Sequence, residues 1–151
     1  MSSQSQVAGH DLLLKPLAEF RFELRRFLHF SESAAVGAGL HPQQHQLLLQ
    51  VAGAPEGAVI TIAYAAERLG LKHNSTVELV DRSEREGLLA RKVDIGDKRR
   101  ALLRVTRKGK QVLGKLAGSH ARELNELAPR LASAMEHIAL HAHSGTGAEA
   151  Q

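Results

Sequence analysis

The sequence predicts a mainly α-helical fold with one small β-hairpin. Three observations indicate this: an apolar set dominated by Leu and Ala with only 3% aromatic residues, long stretches in which apolar residues recur every three or four positions, and one short segment in which that period is lost. With 151 residues, the chain is long enough for one compact domain and too short for two independent cores. We therefore expect a single domain.

The first half of the chain predicts three helices. Over residues 10–36, apolar residues follow each other at steps of four, three, four and three and form one stripe: Leu13, Leu17, Phe20, Leu24 and Phe27. The segment from Gly37 to Gly39 ends this helix, and Pro42 suits the first turn of the next one. Thr61 is expected to cap a third helix, which Gly70 terminates.

A fourth helix is predicted over residues 74–86, and Gly87 ends it. About four residues separate it from the third helix, so the pair predicts a helix-turn-helix. After Gly87 the apolar period changes, and the turn formers from Asp94 to Asp97 separate two short apolar runs. This pattern predicts a β-hairpin, which would form the wing of a winged helix-turn-helix lobe over residues 40–106.

The carboxyl-terminal part predicts further helix. Thr106 is expected to cap it, and an apolar stripe extends from Val112 to residue 141. Because proline removes a backbone donor and clashes with the preceding turn, Pro129 predicts a break into two helices. Residues 1–9 and 144–151 are rich in Ser, Gln, Gly and Ala, so we expect flexible tails around a domain of residues 10–143.

Composition excludes several classes of protein. The chain has no cysteine, which excludes disulfide scaffolds, thiolate zinc sites and sensing by thiol oxidation. No segment has the eighteen continuous apolar residues of a membrane span, so we expect a cytoplasmic protein with no membrane partner. We find no combination of nucleophile, base and orienting group, and so expect neither enzymatic activity nor a cofactor.

The positive charge is concentrated in one third of the chain. The net charge is only +4, but residues 68–115 hold fourteen of the twenty Lys and Arg residues and only six acidic ones. A basic segment over a helix-turn-helix and hairpin predicts a polyanionic partner. A solvated basic surface without function is the alternative.

Short polar side chains at the start of the fourth helix are candidates for contact with DNA bases. Asn74 and Ser75 are the best of them, although they could instead cap the helix. Glu78 and Arg82 follow Ser75 on the same face, where Arg82 could reach a base or a phosphate. The predicted DNA-contacting set of this segment is Lys72, His73, Asn74, Ser75, Thr76, Glu78 and Arg82.

The hairpin places three cations at its tip, namely Lys98, Arg99 and Arg100. Arginine side chains can enter the minor groove, where the negative potential is deepest. Arg91 and Lys92 on the hairpin stem are predicted to meet phosphates, and Asp97 to orient an arginine rather than to contact DNA.

These features together resemble the multiple-antibiotic-resistance regulator (MarR) family of transcriptional regulators. The resemblance covers residues 10–141 and rests on the element order and on four segments: Val77 to Arg82, Glu84 to Leu88, Asp97 to Arg100, and Thr106 to Gly109. It implies a homodimer that binds a pseudo-palindromic double-stranded DNA operator, with repression relieved by a small ligand. It also implies intertwined dimerisation helices, here residues 10–36 and 107–141.

Departures from the family pattern are local. Ser83, Ala65 and Val105 stand where the family usually has leucine. Loss of a full-sized apolar side chain at Ser83 would remove buried surface worth roughly 1.5–3 kcal/mol, so the fourth helix is expected to be less rigidly seated than in relatives.

Family pockets for aromatic acids imply a site where Arg26, His29, His45 or Arg91 could meet the carboxylate of an aromatic or phenolic effector. Nine histidines also raise the alternative of a zinc-sensing regulator, since His41 and His45 have the spacing of two ligands, as do His137 and His141. A third donor at a suitable spacing is not evident, so we expect no metal. A third alternative is a winged helix that binds another protein.

Overall fold

The computed structural model describes the backbone of residues 2–142 and the side chains from residue 10 onward. Its elements in chain order are α1 (Ser2–Gly37), α2 (Pro42–Ala52), α3 (Ile62–Leu69), α4 (His73–Arg85), β1 (Leu89–Val93), β2 (Ala101–Val105) and α5 (Arg107–Ala142). The predicted mainly α fold with a β-hairpin is therefore confirmed.

The chain divides into two compact units. One contains α1 as far as Ser31 and α5 from His120 onward, and the other contains residues 32–119. The second unit, the lobe, is larger than the predicted 40–106, because Ala35 before α2 and Leu113 and Leu116 in α5 belong to its buried apolar core. The lobe thus includes the end of one long helix and the start of the other.

Two predicted helix boundaries are wrong. α1 begins at Ser2 rather than near residue 10, because extending an existing helix adds one hydrogen bond per residue and needs no apolar face. α5 continues through Pro129, so the predicted break does not occur. Leu127 and Ala134 are buried on either side of the proline, and this packing outweighs one lost hydrogen bond. The predicted tail at 144–151 lies outside the described residues.

The helix caps and the helix end predicted from Thr61, Gly70 and Thr106 are confirmed. The Thr61 hydroxyl accepts from the Tyr64 amide at 3.2 Å and caps α3. Gly70 ends α3 in the left-handed conformation, with φ of 64°, which places α4 only a few residues further on. The Thr106 hydroxyl accepts from the Gly109 amide at 3.1 Å and caps α5.

The hairpin is attached to the lobe along the outer edge of β2. β1 and β2 pair antiparallel, with Leu89 opposite Val105 and Val93 opposite Ala101. The Leu103 amide donates to the Ile60 carbonyl at 2.7 Å, so the segment before α3 adds a backbone bond to the free edge of β2. The wing therefore projects from a fixed base.

Candidate DNA-binding surface

Helix α4 has one buried and one exposed face. Its buried residues recur at the helical spacing i, i+3, i+4 and i+7: Thr76, Leu79, Val80 and Ser83. The opposite face is exposed and polar, with Asn74, Ser75, Glu78 and Arg82. The periodicity thus brings together, on one accessible surface, most of the side chains predicted to contact DNA.

The amino terminus of α4 has no side-chain cap. Lys72 is the N-cap residue, and its side chain makes no capping hydrogen bond. Asn74 and Ser75 lie inside the first turn, so the alternative that they serve as the N-cap is wrong. The first amides of the helix lack backbone acceptors and carry the positive end of the helix dipole. Exposed Lys72 and His73 beside them complete an end suited to a phosphate.

The prediction that Thr76 contacts DNA is wrong. Its side chain is fully buried, and its hydroxyl donates to the Lys72 carbonyl at 3.0 Å. It lies on the same face as Leu79 and Val80, whose burial in the lobe core fixes the orientation of the helix. Thr76 therefore seats α4 and does not reach a base.

Arg91 also has a different role from the predicted one. Its Nη2 donates to Asp81 Oδ1 at 2.5 Å and its Nε donates to Glu84 Oε2 at 2.8 Å. These bonds raise the pKa of the Arg91 guanidinium above its usual range, chiefly through Asp81. Both carboxylates lie on α4, so Arg91 ties β1 of the wing to that helix and is already neutralised.

Arg82 is exposed, and the Nε edge of its guanidinium contacts a carboxylate of the same chain segment. Its Nε lies 3.2 Å from Glu86 Oε1, while Glu86 Oε2 accepts from the buried Gln44 amide at 2.8 Å. The hydrogen bond from Gln44, followed by that from Arg82, lowers the pKa of Glu86 below its usual value. Gln44 was not predicted, because its partner lies 42 residues away and no local pattern signals such a bond.

The wing turn is shaped by two aspartates. Asp94 Oδ1 accepts from the Gly96 amide at 2.9 Å, and Asp97 Oδ1 accepts from the Arg99 amide at 3.0 Å. Such side-chain bonds to a backbone amide two residues on are typical of tight turns. The Asp97 carboxylate also lies 3.5 Å from Arg99 Nε, a geometry compatible with the orienting role predicted for it.

The cations of the wing differ in their partners. Lys92 and Lys98 are exposed and form no ion pair with any residue that the structure describes. The Arg99 side chain is 95% exposed, whereas Arg100 Nε contacts Asp94 Oδ2 at 2.5 Å. The sequence indicated Asp94 only as a turn former, and its pairing with Arg100 was missed.

The four predicted effector-binding residues belong to two different units. Arg26 and His29 are exposed on α1 in one unit, while His45 is buried and Arg91 is ion-paired in the lobe. Two cavities, of about 480 Å³ between α1 and α5 and about 340 Å³ between β2 and the segment before α3, are lined by other residues. The predicted pocket therefore stays a prediction.

One histidine of each pair has a local contact within its own helix or cap. The His41 Nδ1 accepts from the Gln43 amide at 3.2 Å and caps α2, and His137 Nδ1 lies 2.6 Å from the Ser133 carbonyl. No group of three or more metal-ligating side chains occurs among the residues that the structure describes. Nor does the described part of the chain contain a helix long and apolar enough to cross a membrane.

The fold and the exposed basic surface define a winged helix-turn-helix domain of the type that binds DNA. Residues 38–100 match the model of the MarR family. In this segment, the chain is similar to the MarR family of transcription regulators.

Solved structures share this fold. The chain is similar to the crystal structure of a MarR family transcription regulator, with TM-score 0.72 and 18% identity over 93% of this chain and 90% of the other. It is also similar to the Staphylococcus aureus MepR–DNA complex, with TM-score 0.63 and 20% identity over 74% and 81% of the two chains. At these identities, the likeness concerns the fold.

A third similar structure has a ligand. CouR from Rhodococcus jostii, bound to p-coumaroyl-CoA, is 25% identical, with TM-score 0.57 over 67% of this chain and 69% of CouR. A search of curated proteins found no match.

Proposed function

We propose that this chain is a sequence-specific double-stranded DNA-binding transcriptional regulator that acts as a homodimer. The observation that carries the proposal is the exposed polar face of α4, with its uncapped amino terminus, tied by Arg91 to a wing that presents Lys98 and Arg99. Two copies would place two α4 helices in major-groove half-sites about 34 Å apart and the wings over flanking minor grooves.

The contacts divide by chemistry. Asn74 and Ser75 are the side chains proposed to read base edges, because they are short, polar and exposed in the first turn of α4. Lys72, His73, Lys92, Lys98 and Arg99 are proposed to meet the phosphate backbone or the minor groove. Glu78 and Arg82 lie on the same face one and two turns further along, with Arg82 shared between Glu86 and DNA.

Regulation by a small molecule is the second part of the proposal. We propose repression that an aromatic or phenolic effector relieves; its support is the ligand-bound CouR structure, whose ligand, p-coumaroyl-CoA, is an aromatic thioester. Titration of phenolic acids and their coenzyme A thioesters into the protein–DNA complex tests it. Release of DNA by a member of this series is the expected result, and no release by any of them contradicts the effector class.

DNA binding is tested by fluorescence anisotropy with the fragment upstream of the protein's own gene and a random fragment of equal length. We expect Asn74→Ala to cost about 1–3 kcal/mol on the preferred fragment and little on the random one. Arg99→Ala should weaken both and lower the salt dependence, whereas Arg25→Ala, an equal charge loss on α1, should do neither. Absence of binding above the nonspecific level at low salt contradicts the proposal and favours a protein-interaction module.

A further inference from the structure

The two adjacent arginines of the wing turn have different surroundings. Arg99 is almost fully exposed, and its Nε lies 3.5 Å from the Asp97 carboxylate. Arg100 is about half exposed, at 47% of its side chain, and its Nε donates to Asp94 Oδ2 at 2.5 Å. An exposed pair at the longer distance holds a side chain weakly, whereas a short charge-assisted hydrogen bond fixes its position.

Asp94 is itself held on two sides. Its side chain is only 14% exposed, its Oδ1 accepts from the Gly96 amide at 2.9 Å, and its own amide donates to the Arg100 carbonyl at 3.2 Å. Both carboxylate oxygens are therefore engaged. The bonds from Arg100 and from the Gly96 amide lower the pKa of the Asp94 carboxyl, so it is ionised at neutral pH.

The Asp94–Arg100 pair closes the wing turn, next to the last strand pair Val93–Ala101, and the outermost turn residues lie between its two members. Both side chains line the cavity of about 340 Å³ whose other walls are the segment before α3 and strand β2: Ala58, Val59, Ile60, Leu102 and Leu103. The Leu103 amide bond to the Ile60 carbonyl fixes this wall. The Arg100 guanidinium is thus held beside the lobe, whereas Arg99 has no comparable anchor.

We propose that Asp94 is a positioning residue that holds Arg100 where the wing turn joins the strands and withholds it from DNA, so that Lys98 and Arg99 are the cations that the wing turn presents. The inference rests on the DNA binding proposed above. It divides the three tip cations of the sequence into two that bind DNA and one that braces the turn.

The first test uses the free protein and no DNA. Nitrogen-15 relaxation of the arginine Nε–H groups should show an ordered Arg100 and a mobile Arg99. In Asp94→Asn, which keeps an acceptor for the Gly96 amide, Arg100 should become as mobile as Arg99. Equal mobility of the two arginines in the unaltered protein overturns the proposal.

The second test measures how the binding constant for random duplex DNA depends on salt. Arg99→Ala should reduce the slope of log K against log salt by about 0.9 per protomer, the value of one phosphate contact, and Arg100→Ala should leave it unchanged. Asp94→Asn should increase the slope by about the same amount, and Asp94→Asn with Arg100→Ala should restore it. A merely destabilised wing would not be restored by the second change.

Two outcomes separate the proposed role of Asp94 from the proposed DNA binding. If Arg100→Ala lowers the slope as much as Arg99→Ala, Arg100 contacts DNA and the proposal is wrong. If the unaltered protein binds no DNA, the proposed function fails and the withholding of Arg100 fails with it, while the relaxation data still decide whether Asp94 holds Arg100.

Discussion

At the residue scale, Gly109 shows how a short motif can encode packing rather than chemistry. It is the last residue of the Thr106 to Gly109 segment and is buried where the first turn of α5 meets the hairpin. A Cβ at this position would collide with the Leu88 carbonyl oxygen and would lie 2.6 Å from Val105 Cγ1. Since the first obstacle is backbone, it cannot rotate away.

We therefore expect Gly109→Ala to destabilise the protein by about 1–3 kcal/mol through overpacking. Gly114→Ala is the matched control, because a Cβ at Gly114 on the same helix meets nothing within 4 Å. That change should stabilise by about 0.5–1 kcal/mol through the better helix propensity of alanine. Urea unfolding at one fixed protein concentration measures both, and equal effects of the two substitutions would refute the packing argument.

Single residues also show what a local pattern cannot reveal. The spacing of Thr76 to Leu79 and Val80 already places it on the buried face, so its removal from the DNA-contacting set could have been predicted. The pairing of Arg91 with Asp81 and Glu84 could not, because it depends on how β1 lies against α4. Ser83 is fully buried with its hydroxyl donating to the Leu79 carbonyl at 2.8 Å, so this polar atom is satisfied within the helix.

At the scale of the elements, capping residues and turn glycines were sufficient to predict the ends of the short helices. They were insufficient to predict the bounds of the two long helices. Thr61, Gly70, Gly87 and Thr106 mark ends that the structure confirms, because caps and left-handed turns are decided by a few neighbouring atoms. Pro129 lies inside α5 because burial over many turns outweighs one missing donor. Long-range packing therefore decides whether a proline ends a long helix.

The uncapped start of α4 predicts a conflict between stability and DNA binding. Lys72→Ser should add a hydroxyl acceptor for a first-turn amide, stabilise α4 by about 1 kcal/mol and raise the melting temperature by roughly 2–4 °C. The same change removes a cation from the proposed DNA-binding surface and should weaken binding. Lys72→Ala separates the effects, since it removes the charge without adding a cap.

Thermal unfolding and anisotropy on the three proteins check this expectation. The two variants should lose similar DNA affinity, but only Lys72→Ser should gain stability. Equal melting temperatures for Lys72→Ser and Lys72→Ala would contradict a missing cap at α4, and full affinity in both would remove Lys72 from the binding surface.

At the scale of the whole molecule, the exposed apolar residues are unevenly distributed. Within the described residues, most of the large exposed apolar side chains lie on the unit formed by α1 and α5: Leu12, Leu14, Leu17, Phe22, Leu24, Leu28, Leu124, Met135 and Leu140. An exposed apolar surface of this extent is typical of an interface. Leu17, Leu24, Leu124 and Met135 of this set belong to the two apolar stripes predicted from the sequence. Periodicity cannot distinguish burial within one chain from burial against a second copy.

The dimer proposal is tested most directly by a charge placed in this apolar surface. Phe22 is 55% exposed, so Phe22→Glu should cost the monomer little, yet it would bury an unpaired carboxylate between two copies. We expect sedimentation equilibrium at micromolar concentration to give a dimer for the unaltered protein and a shift towards the 16.4 kDa monomer for the variant. Leu49→Glu is the control, because Leu49 is similarly exposed, at 44%, but lies on α2 of the lobe.

DNA affinity should fall with the dimer in Phe22→Glu, because a monomer engages only one half-site at a time. A monomeric unaltered protein, or the same dissociation in both variants, would mean that the unit of α1 and α5 is not the dimer interface.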